Sequence, residues 1–261
     1  MIRIVSFSLI FLFACATTHA AYPDTANLDP AKLWLRSHAA IVMDQQSGKL
    51  LYQKNASDIL PIASITKLMT AMVTIDAELD MEEAIRITKA DKDTIKYSRS
   101  RLPVNSVVSR IDLLRLALMA SENRAAAALA RTHPGGKAKF IAAMNAKSKA
   151  LGMKNTQFRD STGLIATNRS TAKDLTILLK AAWQYPLIRR TSGLGSSSAD
   201  IGGKTLEFNN TNRLLRRANW QIGMSKTGYI KESGRCLVMQ AHIAGRDLFI
   251  ILLNAQGKLS S

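Results

Sequence analysis

Cysteine is nearly absent from this chain, which has only Cys15 and Cys236. If Cys15 lies in a leader that is removed, one thiol remains, no intrachain disulfide can form, and stability has to come from a buried core. Histidine is also sparse. His19, His38, His133 and His242 are scattered, no pair has helical spacing, and Cys236 stands alone, which argues against a zinc hydrolase. No Gly-x-Ser-x-Gly elbow is present, so a Ser-His-Asp hydrolase would lack its nucleophile turn. Neither a metal nor a cofactor is expected. Acidic residues are few, with 19 Asp and Glu against 36 Lys and Arg, for a formal net charge of +17. No aromatic-basic RNA motif or zinc-finger spacing accompanies that charge, so nucleic acid is not the expected partner.

No apolar run reaches the roughly 18 residues needed to span a bilayer. The N-terminus has a shorter one: Met1-Ile2-Arg3, then Ile4 to Ala16, then Thr18-His19-Ala20. This pattern reads as a secretory signal cut after Ala20, and it places the protein in the periplasm with no transmembrane segment after signal removal. Lipid attachment at Cys15 is the alternative. Losing Arg3 leaves a net charge of +16, which suits weak association with an anionic membrane or wall polymer. Residues 21–38 read as a polar N-terminal leader segment with a short helix at Pro30 to Ser37, and residues 39–261 as the folded domain.

Within that domain, residues 39–43 and 49–52 flank Asp44-Gln45-Gln46-Ser47-Gly48 as a hairpin. A pattern apolar nearly all round starts at Ser64 and runs through Ile75, predicting a buried central helix. Helical patterns recur at 110–120, 123–132, 136–150 and 171–185, the last ending at Tyr185-Pro186. Strand character returns at 203–208, 219–227, 235–243 and 247–253, and Ser196-Ser197-Ser198 reads as a loop. Strands, then helices, then strands predict an α+β fold: one antiparallel sheet built from both chain ends, with a helical lobe inserted between them.

With histidine set aside, a buried lysine can serve as a base, because desolvation disfavours its charged form. Ser64-Ile65-Thr66-Lys67 places a hydroxyl and an amine on one helix face. The pair alone is weak evidence: 22 serines and 18 lysines give about 1.5 such spacings by chance, and two occur. In the second, Ser170 to Lys173, the expectation is a helix cap at Ser170 or Thr171 and a solvated lysine. Ser64 has company in Ser121-Glu122-Asn123, between two helical runs, and in Lys226-Thr227-Gly228, followed by Tyr229, on an apolar strand. The plainer readings are a helix cap for Ser121, a strand lysine with its head in water for Lys226, and simple exposure for Glu122.

Ser-x-x-Lys, Ser-x-Asn and Lys-Thr-Gly in this order are the signature of penicillin-interacting serine enzymes. The stretches 61–77, 117–136, 184–188, 210–214 and 226–239 resemble the low-molecular-mass penicillin-binding proteins, most closely their D-alanyl-D-alanine endopeptidase branch. The resemblance implies the β-lactamase/transpeptidase-like fold, a peptidoglycan stem-peptide substrate, and β-lactam antibiotics as covalent inhibitors. It implies Ser64 as nucleophile, Lys67 as base, Ser121 as proton relay and Asn123 as a hydrogen-bonding group near Ser64. Lys226 and Thr227 would hold the substrate carboxylate, Gly228 would keep that strand open for close approach, and the backbone N–H groups of Ser64 and Tyr229 would form the oxyanion hole.

A serine β-lactamase would add a glutamate between the second and third motifs, and none occurs from Asn123 to Leu206. The carboxylates there are Asp160, Asp174 and Asp200, with Asp174 expected to be solvated on a helix. Slow release of a penicilloyl enzyme is therefore expected. Two alternatives to the endopeptidase reading stay open: a D-alanyl-D-alanine carboxypeptidase and a non-catalytic basic wall-binding module. One departure from the family pattern is that the final helix which packs on the sheet is not found before Ser261. The apolar strand 248–253 then needs cover on its second face, for which the segment around Trp34 is a candidate.

Overall fold

The computed structural model describes residues 35–255. In chain order the strands are β1 (Ser37–Asp44), β2 (Leu50–Lys54), β3 (Leu60–Pro61), β4 (Ala84–Arg86), β5 (Val107–Ser109), β6 (Arg169–Ser170), β7 (Ser196–Asp200), β8 (Thr205–Asn209), β9 (Gln221–Ile230), β10 (Gly234–Ile243) and β11 (Arg246–Ala255). The helices are α1 (Thr66–Asp76), α2 (Arg110–Met119), α3 (Asn123–Arg131), α4 (Gly136–Ala150), α5 (Ala172–Trp183) and α6 (Pro186–Ser192).

The main sheet has the order β2-β1-β11-β10-β9, all antiparallel. The first and last strands of the chain are neighbours at its centre, and all six helices are inserted between β2 and β9, as the sequence order implied. The β1–β2 turn closes on Asp44, whose carboxylate accepts the Ser47 N–H at 2.8 Å, and Gly48 supplies the left-handed residue at φ +70. The antiparallel pair β4–β5 and the hairpin β7–β8 pack on α2 at the border of the helical lobe.

Alternation sorts β11 onto two cores. Phe249, Ile251 and Leu253 face the large cluster that includes α1 and α5, and the Trp183 ring meets Phe249 edge-on at 6.4 Å. Leu248 and Ile250 join Leu237, Met239 and Ala241 in a smaller cluster on the other face. The segment around Trp34, the residues after Ala255 and the signal segment lie outside the described residues. The short helix expected at Pro30–Ser37 falls mostly there as well, and its last residue, Ser37, is already strand.

Other expectations need correction. The central helix does not begin at Ser64: a single 3₁₀ turn spans Ala63–Ile65 and α1 starts at Thr66, because Ala63 sits in the left-handed region at φ +45. The helix expected to end at Tyr185-Pro186 does stop there, α5 closing at Trp183, but Pro186 also opens a further helix that was not expected, α6, where a missing N–H costs nothing. Ser196–Ser198 is not a loop but part of β7, paired with β8 from Ser196↔Asn209 to Asp200↔Thr205. Asp174 is buried, accepting the Asn155 N–H at 2.7 Å and the Thr156 hydroxyl at 2.8 Å.

Phe249 lies between sheet and helices at 2% exposure, so Phe249→Ala is expected to lower unfolding free energy by about 3–5 kcal/mol in urea titration.

Candidate active site

Every residue of α1 from Thr66 to Thr74 is buried, so the Lys67 amine is carried into the protein interior. The preceding 3₁₀ turn holds Ser64 half-buried at its mouth, and Lys67 Nζ lies 2.8 Å from Ser64 Oγ. Two further acceptors meet the amine, Asn123 Oδ1 and the Thr162 carbonyl, each at 2.7 Å. A protonated lysine would use all three of its N–H bonds here. A neutral one has two N–H bonds and one lone pair. A carbonyl and an amide oxygen can only accept, so both N–H bonds go to Thr162 and Asn123, and the lone pair is left facing the Ser64 hydroxyl. Burial pushes the Lys67 pKa down to about 7, against the opposing pull of the Asp160, Glu122 and Asp93 carboxylates, so the neutral form is accessible near neutral pH.

Ser121 sits in the connection between α2 and α3 at φ +57, a left-handed conformation that is costly for serine. It caps neither helix. The N-cap of α3 is Glu122, buried, with its carboxylate accepting the Arg124 N–H at 3.2 Å. Ser121 Oγ instead accepts from Lys226 Nζ at 2.8 Å. Lys226 is 1% exposed, so its head is not in water, and it also donates to the Thr227 carbonyl at 2.8 Å. Burial, reinforced by the Lys67 charge, holds its pKa well below the usual lysine value.

These lysines arrive from different parts of the chain because β9 packs on the turn that holds Ser64. A Cβ at Gly228 would come within 2.9 Å of the Ser64 backbone N and 3.0 Å of Ala63 Cβ, so only glycine allows this approach. Thr227 Oγ1 donates to Thr211 Oγ1 at 2.6 Å, and Tyr229 is 63% exposed with Arg235 stacked over its ring. Ser64, Lys67, Ser121, Asn123, Lys226, Thr227 and Gly228 thus converge on one site, with Tyr229 next to Gly228 on β9.

Sequence reasoning missed the loop from Arg159 to Asn168 as part of the site. Asp160 Oδ1 accepts the N–H of Thr162 at 3.0 Å and of Gly163 at 2.6 Å, and Oδ2 accepts the Ile165 N–H at 3.1 Å, which winds the loop around one carboxylate. Asn168 ties it to α1 by donating to Thr66 Oγ1 at 3.0 Å. Gly163, at φ +83, allows the loop to touch the nucleophile turn: a Cβ there would lie 1.9 Å from the Ala63 carbonyl oxygen. The result is the Thr162 carbonyl aimed at Lys67. Asp160-Ser161-Thr162-Gly163 is legible as a turn in sequence, but not its place beside α1. The other Ser-x-x-Lys pair is structural, with Thr171 capping α5 and Lys173 exposed. Among the described residues no group of three or more His, Cys, Asp or Glu side chains could hold a metal ion.

Comparison with known proteins agrees with this geometry. The family model for D-alanyl-D-alanine carboxypeptidase, peptidase S11, matches residues 26–257. The chain is 45% identical to a D-alanyl-D-alanine endopeptidase of Pseudomonas aeruginosa over 98% of its own length and 84% of the relative's. It is 43% identical to the protein of that name in Escherichia coli, with the same coverage. Among solved structures, the Streptomyces K15 DD-transpeptidase superposes with a TM-score of 0.79 at 28% identity, covering 87% of this chain and 92% of that one. The chain belongs to the peptidase S11 family of D-alanyl-D-alanine carboxypeptidases.

Proposed function

We propose that this protein opens cross-links in peptidoglycan by hydrolysing the peptide bond on the carboxyl side of D-alanine through an acyl-enzyme on Ser64. The observation that carries the reading is the 2.8 Å contact between Ser64 Oγ and a buried lysine whose other two partners are acceptors only.

In the first step Lys67 takes the Ser64 proton as Oγ bonds to the carbonyl carbon. The oxyanion that forms is received by the backbone N–H groups of Ser64 and Tyr229, an arrangement worth roughly 3–4 kcal/mol per donor in comparable sites. Ser121, bonded to Lys226, relays the proton that Lys67 took from Ser64 to the leaving amine as the C–N bond breaks, which returns Lys67 to its neutral form. Lys226 and Thr227 hold the substrate carboxylate, and water then hydrolyses the Ser64 ester. A β-lactam follows the first half of this path, its ring opening as Ser64 is acylated. The described residues offer little for fast deacylation of that adduct: Asp160 is committed to its own loop, and Asp174 to Asn155 and Thr156.

Preference for cross-links over terminal D-alanine is supported by the relatives: those at 45% and 43% identity carry the endopeptidase name, whereas relatives at 29% and 32% carry the carboxypeptidase name. The signal-like N-terminus supports work in the periplasm, and no helix among the described residues is long and apolar enough to cross a membrane.

Fluorescent penicillin is expected to label the protein covalently and to leave Ser64→Ala unlabelled; a label that survives that substitution would remove the reading. Incubation with cross-linked muropeptide dimers, followed by mass analysis, should yield monomers. Release of free D-alanine alone would point to a carboxypeptidase, and no product to a binding module.

Because Lys67 must be neutral to act, acylation should rise with pH through about 7 and then level off. The Glu122 charge raises the Lys67 pKa, so Glu122→Gln, which keeps an oxygen for the α3 cap, should move that rise to lower pH in stopped-flow labelling. Gly228→Ala pushes a methyl against the Ser64 backbone N, and its acylation rate should fall at least about tenfold, as expected for misplaced reacting groups.

A further inference from the structure

The motif triple does not include the loop between Asp91 and Leu102, yet that loop touches the site. Asn123 Nδ2 donates to Ser98 Oγ at 2.8 Å, from the amide end opposite the one facing Lys67. Ser98 is held in turn by Asp93. One oxygen of that carboxylate accepts the N–H groups of Ile95 and Lys96 at 2.8 and 2.9 Å, and the other accepts the Ser98 N–H at 2.8 Å. The Ser98 hydroxyl also interacts with this carboxylate. Lys96 Nζ meets Glu232 Oε1 at 2.5 Å, pinning the loop to the turn between β9 and β10.

We propose that Ser98 is a positioning residue for acyl transfer, fixing the Asn123 amide so that its oxygen, and not its NH₂ group, faces Lys67. The chemistry of the three groups requires such a device. A neutral lysine has one lone pair, and in this site it points at Ser64 only while the other two neighbours are acceptors. Were the Asn123 amide reversed, its NH₂ would donate into that lone pair and compete with the Ser64 proton. Lys67 cannot enforce the orientation alone, because an amine accepts as readily as it donates. Ser98 can: its N–H is bonded to the Asp93 carboxylate, so the hydroxyl sits beside that negative charge, which favours turning its proton away from Asn123 and its lone pairs toward the NH₂ end. Ser98 therefore acts through Asn123 without touching the reacting atoms.

The role of Ser98 rests on the Ser64–Lys67 reading, and the two can fail separately. The measurement is the bimolecular rate of labelling by fluorescent penicillin for the wild type, Ser98→Ala, Ser98→Thr, Asn123→Ala, the Ser98→Ala/Asn123→Ala double variant and Lys96→Ala. Ser98→Ala should react about tenfold more slowly, the upper scale of one lost hydrogen bond in a part-buried network. Ser98→Thr, which keeps the hydroxyl, should stay within about twofold of wild type, and in the Asn123→Ala background the Ser98 substitution should add nothing. Lys96→Ala, which cuts the loop's tether but keeps the hydroxyl, should label at close to the wild-type rate.

Equal rates for wild type and Ser98→Ala would overturn the inference. So would a Thr variant as slow as Ala, a full Ser98 effect without Asn123, or a Lys96→Ala variant as slow as Ser98→Ala, since each assigns the loss to loop packing or to nothing. A wild-type protein that takes no label would remove the Ser64 reading and this one with it.

Discussion

A lysine amine taken out of water and set between two obligate acceptors and one hydroxyl is the constraint around which this structure is arranged. Burying Lys67 costs free energy in its charged form, and that cost is what makes the residue useful as a base. Water has to be kept away from the amine, which the burial of α1 from Thr66 to Thr74 achieves, and its neighbours other than Ser64 have to be acceptors. Each neighbour comes from a different element: Ser64 from the turn before α1, Asn123 from the first residue of α3, and Thr162 from the Asp160 loop. A local change in any of the three alters which hydrogen bonds the amine makes, and so where its lone pair points.

Backbone strain gathers around that arrangement. Ala63, next to Ser64, and Ser121, which accepts from Lys226, both hold left-handed conformations that ordinary residues avoid. Gly163 and Gly228 stand where any side chain would collide with the Ala63–Ser64 backbone. The large and the small apolar cluster oppose this cost: β11 contributes to both, from opposite faces, and α5 packs on the sheet within the large one. Rigidity at the centre of the sheet is therefore a condition for a strained site at its margin.

Much of this was legible in the sequence because the signals were local. Gly48 after a polar turn marked the first hairpin, helical periodicity marked α2 to α4 within a residue or so, and Gly234 and Gly245 separated β9, β10 and β11. The ordered motifs named most of the residues that converge. What escaped had no local signature or a misleading one. Pro186 marks both a helix stop and a helix start: α5 ends before it as read, and the short α6 it opens went unread. β7 is Ser-Ser-Ser-Ala-Asp, with no alternating apolar face, and is a strand only because β8 pairs with it. Glu122 looked like an exposed residue inside a motif, whereas the end of α3 needed its carboxylate.

Asp160, Thr162 and Ser98 escaped for another reason. Thr162 reaches Lys67 across 95 residues and Ser98 reaches Asn123 across 25, while Asp160 only winds the loop that carries Thr162. Motifs record the groups that meet substrate, because their chemistry restricts which residues can stand there. The groups that orient them need only an acceptor or a donor in the right place, which a backbone carbonyl or any hydroxyl supplies. Thr162 uses its carbonyl and leaves no side-chain signature for that role. In this site the difference between a lysine that can take a proton from serine and one that cannot is set by such groups, so the part hardest to read from sequence decides whether the legible part works.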